Sequence, residues 1–117
     1  AHPDVAFVNY PGLESSRYYD RVQRYLPKGA GGVFTFGLHG GRERGARLID
    51  SLELIMHVTN VGDARTLISH PSTTHSQLSD EQLAESGIRP ETVRLSVGLE
   101  DPADLIADLD QAIAAAK

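Results

Sequence analysis

"ETVRLSVGLEDPADLI" (residues 91–106) packs a strand, a turn and the start of a helix into one stretch. Val93, Leu95 and Val97 alternate with Thr92, Arg94 and Ser96, so the expected strand has one apolar and one polar face. Asp101 stands where an N-cap is needed. Pro102 takes the first helical position, which requires no N–H donor, and Asp104 adds negative charge to the first turn. Beyond it, Leu105, Leu109 and Ile113 recur every fourth residue and line one side of a helix with apolar groups. A one-sided strand followed by a one-sided helix predicts a helix packed on a sheet.

The rest of the chain follows the same pattern. "DVAFVNY" (4–10) reads as a strand that ends at Pro11-Gly12. "SSRYYDRVQRYL" (15–26) predicts a helix with Tyr18, Val22 and Tyr25 or Leu26 on one face, closed by Pro27 and Gly29. "GGVFTFGL" (31–38) is a short apolar strand, and "GRERGARLIDSLEL" (41–54) a helix that turns Leu48, Ile49 and Leu52 inward. "IMHVTN" (55–60) is a further strand, broken at Val61-Gly62-Asp63, and "TLIS" (66–69) a brief one stopped by Pro71. Ser79 and Gln82 have capping-box spacing for a helix closed at Gly87. No repeat or linker divides the sequence. The expectation is one domain over residues 1–117, of α/β or two-layer α+β class, with helices covering one face of a small sheet.

Composition narrows the function classes. The chain has 117 residues, 40% apolar and 23% charged, within the range of globular domains. No apolar run approaches the ~20 residues of a spanning helix, and the N-terminal segment lacks the pattern of a signal peptide. Cysteine is absent, which excludes disulfides and thiolate metal sites and makes a cytoplasmic setting the expectation. The net charge of −5 is unevenly laid out. Residues 17–47 are rich in arginine, whereas residues 79–117 are rich in carboxylates. The basic stretch lacks the aromatics of a stacking platform, so opposed solvated helix faces are favoured over a nucleic-acid surface.

Three features invite chemistry. "HPSTTH" (70–75) holds two histidines around a proline, a spacing that places no zinc pair on a helix, and no third ligand is evident. Its hydroxyls suit a turn, satisfying backbone groups. The glycines of "GAGGVF" and "HGGRERG" match neither a dinucleotide fingerprint nor a P-loop, and supplying tight turns is their simpler use. Arg94 is left with two readings. A mid-strand arginine on the polar face can be an ion pair, or a rigid bidentate receptor for a substrate carboxylate.

"VRLSVGLEDPADLIADLDQAI" (93–113) closely resembles the C-terminal signature of the pyridoxal-phosphate enzymes of cysteine and methionine metabolism. "VNYPGLESS", "LPKGAGGVFTFGLHGG", "NVGDARTLISHPSTTHSQLS" and "GIRPETVRLSVGLED" resemble, in order, blocks of the O-acetylhomoserine sulfhydrylase branch. Asn60-Val61-Gly62, where cystathionine synthases, lyases and methionine γ-lyases more often read Ser-Leu-Gly, favours that branch. So does Thr73, where those branches tend to carry methionine.

The resemblance implies the C-terminal domain of a fold-type I enzyme, with a small, mostly antiparallel sheet and helices on one face. It implies γ-replacement in methionine biosynthesis, with O-acetylhomoserine and sulfide giving homocysteine and acetate. Arg94 would clamp the substrate's α-carboxylate, Asn60 would donate beside it, and Thr74 would line the same pocket. The cofactor lysine, the phosphate loop and the stacking aromatic would belong to an upstream large domain. Lys28 and Lys117, the only lysines, have no cofactor-lysine context. The chain is therefore expected to be an inactive fragment that binds no pyridoxal phosphate by itself and holds no metal, cut from a cytoplasmic homotetramer that engages neither nucleic acid nor membrane. The alternatives are a cystathionine γ-synthase or γ-lyase of the same family, or a non-enzymatic amino-acid-binding regulatory domain.

Overall fold

The computed structural model describes residues 2–74 and 77–117, and in it the alternating stretch around Arg94 becomes the middle of a five-stranded sheet. In chain order the elements are β1 (Val5–Asn9), α1 (Tyr19–Tyr25), β2 (Val33–Leu38), α2 (Gly41–Asp50), β3 (Met56–His57), β4 (Leu67–Ser69), α3 (Pro71–Thr74), α4 (Asp80–Glu85), β5 (Thr92–Ser96) and α5 (Pro102–Ala115). The strand order is β1-β2-β5-β4-β3. Every pairing is antiparallel except β3 with β4, so the mostly antiparallel sheet expected from the sequence is present.

Period-two alternation on β5 and β2 sends Val93, Leu95, Phe36 and Phe34 to one face of the sheet. There they meet Leu48 and Ile49 of α2 and Leu105, Ala112 and Ile113 of α5 in the main core. Each such aliphatic side chain removed from water contributes about 1.5–3 kcal/mol before the entropy of ordering it is charged against it. Local signals behave as read: Asp101 Oδ1 accepts the N–H of Ala103 at 2.8 Å, and Ser79 and Gln82 exchange both hydrogen bonds of a capping box. Gly87 ends α4 at φ +77°, and the N–H of Ile88 reaches back to the carbonyl of Leu83, which closes the helix in a Schellman arrangement.

Tertiary context changed several boundaries. The helix expected over 15–26 is cut to Tyr19–Tyr25, because the preceding residues close successive turns and the Ser16 hydroxyl accepts the N–H of Tyr18. Only Val22 of that helix is buried, and Tyr25, expected on its inner face, is 67% exposed. The strand expected over 55–60 keeps only Met56–His57, since the chain then peels away toward the polar face of the sheet. Val97 does not share the core face of Val93 and Leu95. The ladder stops at Ser96, and Glu100 folds the next turn back by accepting the N–H and hydroxyl of Thr66, both at 2.8 Å.

One buried charge fastens the helical layer. Asp108, on α5, accepts the N–H groups of Glu53, Leu54 and Ile55 at 2.8, 2.9 and 2.8 Å, holding the chain where it leaves α2 for β3. Burial opposes its ionisation, but those amides and the Gln111 side chain outweigh that cost and hold its pKa below the ordinary carboxylate value. No helix among the described residues is long and apolar enough to cross a membrane.

Candidate functional site

The site is built on the face of the sheet opposite α2 and α5. Arg94 is at the middle of β5, paired in register with Thr35 of β2 on one side and Ser69 of β4 on the other. Hydrogen-bonded ladders along both edges hold its Cα, so the half-buried side chain starts from a rigid base. Its Nη2 donates to the backbone carbonyl of Thr59. Among the described residues no carboxylate lies within ion-pair distance of Arg94, so the ion-pair reading has no partner there. A guanidinium carries five N–H donors in a planar fork, and one carbonyl satisfies only part of that fork.

Asn60 follows directly on Thr59. The connection between β3 and β4 therefore brings it to the face that carries Arg94, with its side chain exposed. A second bond ties down this connection: the N–H of Gly62 donates to Ser96 Oγ at 3.2 Å. Gly62 has φ +79°, a conformation glycine adopts without the penalty a Cβ would bring. Thr74 lies at the end of α3, and its hydroxyl donates to the carbonyl of His70 at 3.2 Å. Arg94 thus meets the chain neighbour of Asn60, the Thr59 carbonyl, while no hydrogen bond among the described residues joins the Asn60 or Thr74 side chain to Arg94.

Residues 70–74 form a polar lock around the buried His70 and Ser72. His70 is 1% exposed, and its Nε2 lies 2.8 Å from the carbonyl oxygen of Pro90. A carbonyl can only accept, so Nε2 carries the proton and Nδ1 is free to accept from the Thr73 hydroxyl at 2.9 Å. Ser72 also donates to Pro90, at 2.8 Å. Gly45 of α2 makes this fit possible: a Cβ there would stand 3.1 Å from the ring nitrogen. Burial lowers the His70 pKa, as do the charges of Arg42 and His57, against a contrary pull from the Pro90 carbonyl. The ring is a neutral structural element. His75 lies outside the described residues, and no cluster of metal-ligating side chains occurs among the others.

Sequence reasoning missed the neighbours of Arg94 on the adjacent strands. Ser96 shares the polar face by simple alternation, but Thr35 and Ser69 become neighbours only through strand register. Two grooves lie away from Arg94. One of about 470 Å³ runs between β1 and α5, lined by Val5, Phe36, Ile106 and Leu109 among others; another of about 670 Å³ is lined by residues from Val8 to Tyr18.

Residues 1–114 match the family model for Cys/Met metabolism PLP-dependent enzymes. The chain belongs to that family. It is 57% identical over 113 residues to O-acetyl-L-homoserine sulfhydrylase 1 of Thermus thermophilus, a match covering 96% of this chain and 27% of the relative. It is 42% identical over 113 residues to a homocysteine synthase of Schizosaccharomyces pombe, covering 96% and 26%. A solved O-acetylhomoserine (thiol)-lyase of Campylobacter jejuni superposes with a TM-score of 0.89 at 44% identity, covering 97% of this chain and 27% of that one. The chain spans about a quarter of the length of these relatives.

The Campylobacter structure contains a pyridoxyl-lysine phosphate. The two lysines here do not fit that attachment. Lys28 is exposed beyond α1, and the exposed Lys117 lies 3.7 Å from Asp4. A Schiff-base lysine is activated by desolvation or by a neighbouring cation, and neither site offers that.

Proposed function

We propose that this chain is the C-terminal, substrate-orienting domain of a PLP-dependent O-acetylhomoserine sulfhydrylase. In the net reaction the Cγ–O bond of O-acetyl-L-homoserine breaks, acetate leaves with the bonding electron pair, and hydrosulfide (HS⁻) forms the Cγ–S bond of homocysteine, its hydrogen staying on sulfur as the thiol proton. The observation that carries the reading is Arg94, a guanidinium on a doubly paired strand with a backbone carbonyl but no described carboxylate as partner. A planar fork in that setting suits the substrate's α-carboxylate. Asn60, beside the Thr59 carbonyl, donates to the same group, and Thr74 closes the pocket from α3. The names of the sulfhydrylase relatives support the choice of substrates.

The test uses the full-length enzyme. Arg94→Lys keeps the charge but loses the two-point fork, which costs about 2–3 kcal/mol of substrate binding. That predicts a fall in kcat/KM for O-acetylhomoserine of roughly 30- to 150-fold, with the KM for sulfide little changed. Arg94→Ala costs more, since the carboxylate then loses its counter-charge altogether. Arg89, which lies over the Phe7 ring at 4.8 Å instead of facing the site, is the control: its alanine variant stays close to the parent. Wild-type kcat/KM in both Arg94 variants would show the residue to be structural.

A further inference from the structure

The connection from Thr59 to Gly62 is fastened to β5 at two points by residues two apart on one face of the strand. Arg94 donates to the Thr59 carbonyl, and Ser96 accepts the Gly62 N–H at 3.2 Å. We propose that Ser96 is a positioning residue for the carboxylate site: it never touches substrate, but by pinning Gly62 it holds the Thr59 carbonyl where that group aims the Arg94 guanidinium, and holds Asn60 beside it. This rests on the assignment of Arg94 and Asn60 as the carboxylate receptor.

Three observations carry the inference. Ser96 is 3% exposed on the polar face, so its hydroxyl is spent on an internal partner and not on solvent. It is paired on both sides, with Val33 and with Leu67, so it offers a fixed anchor. The segment it anchors has few other supports. Asn60, Val61 and Gly62 are all exposed, and regular strand pairing ends at His57. A short exposed segment held by few hydrogen bonds opens locally at low cost, so each remaining tether matters to its mean position.

The proposal is tested in the full-length, cofactor-loaded enzyme with O-acetyl-L-homoserine as the probe. Ser96→Ala removes the acceptor and raises KM for that substrate about 3- to 10-fold, the value of one hydrogen bond, while kcat changes less than twofold. Hydrogen exchange of the peptide covering residues 58–64 speeds up in the same variant. Ser96→Thr, which restores the hydroxyl, brings both back. In an Arg94→Ala background the Ser96→Ala effect on KM disappears, because there is no guanidinium left to aim. A lowered melting temperature with unchanged KM and unchanged exchange overturns the proposal and leaves Ser96 a packing residue. Should Ser96→Ala not fold, Ser96→Cys gives the same reading with a weaker acceptor, and an unchanged KM there overturns the proposal equally. If Arg94→Ala itself leaves KM unaltered, the carboxylate-site assignment falls. If only the Ser96 variants are silent, that assignment stands and this inference alone fails.

Discussion

Asp108 and Arg94 are charged residues on opposite sides of the same sheet, and they are treated in opposite ways. On the helical side the Asp108 carboxylate is 6% exposed and accepts three backbone N–H groups and the Gln111 amide, which uses up its hydrogen-bonding capacity. On the other side Arg94 gives one hydrogen bond to a carbonyl and meets no described carboxylate. A buried charge whose partners are complete is a fastener, and removing it orphans the groups it served. A guanidinium with an incomplete set of described partners on a rigid strand keeps donors available for the receptor role proposed for Arg94. Satisfaction, more than burial or charge, separates the two roles.

The sharpest way to break this comparison is to exchange the readouts. Arg94→Ala should lower kcat/KM for the acetylated substrate by more than 100-fold with little change in melting temperature. Asp108→Ala should do the reverse. It leaves three backbone donors near the α2–β3 junction unpaired and should cost about 3–4 kcal/mol of stability, measured by urea unfolding. If both variants lost stability alone, Arg94 would be a fastener too.

The next effect is in pH. His70 has a folded pKa below its ordinary 6.5, so the unfolded chain binds more protons in that window. Its stabilising contribution is complete above pH 6.5 and is lost as pH falls through the lowered folded value. Asp108 follows at lower pH: its contribution is present above its ordinary 3.8 and is lost as pH falls through its own lowered value. Melting temperatures at pH 7, 5.5 and 3 should therefore fall in two stages. His70→Gln should be less stable at pH 7 but should flatten the first stage and spare the second. A single transition near pH 4 in the parent protein would contradict the buried neutral imidazole.

The smallest expected effect is local. Ser79→Ala removes half of the capping box on α4 and should cost about 1 kcal/mol, with no change in kcat/KM. A loss of activity there would extend the receptor side of the sheet as far as α4.

Much of this arrangement was readable from neighbouring residues. Asp101, Pro102, Ser79, Gln82 and Gly87 mark helix ends through contacts spanning only a few residues, and alternation at 92–96 sorted core from polar face. The ordered blocks around Asn60, Thr74 and Arg94 carried the family resemblance, and with it a role for each of the three. What required the folded chain was every statement about partners. Asp108 reaches amides more than fifty residues earlier in the chain, and nothing in "ADLDQ" announces it. The shortened α1 and β3 depended on what the rest of the fold left for them to pack against. Whether Arg94 had a counter-ion, which loop crossed its face, and that Ser96 held that loop were decided by strand register. Periodicity reports which side chains share a face, whereas only the tertiary pairing of distant segments decides what covers that face and which polar groups remain unsatisfied.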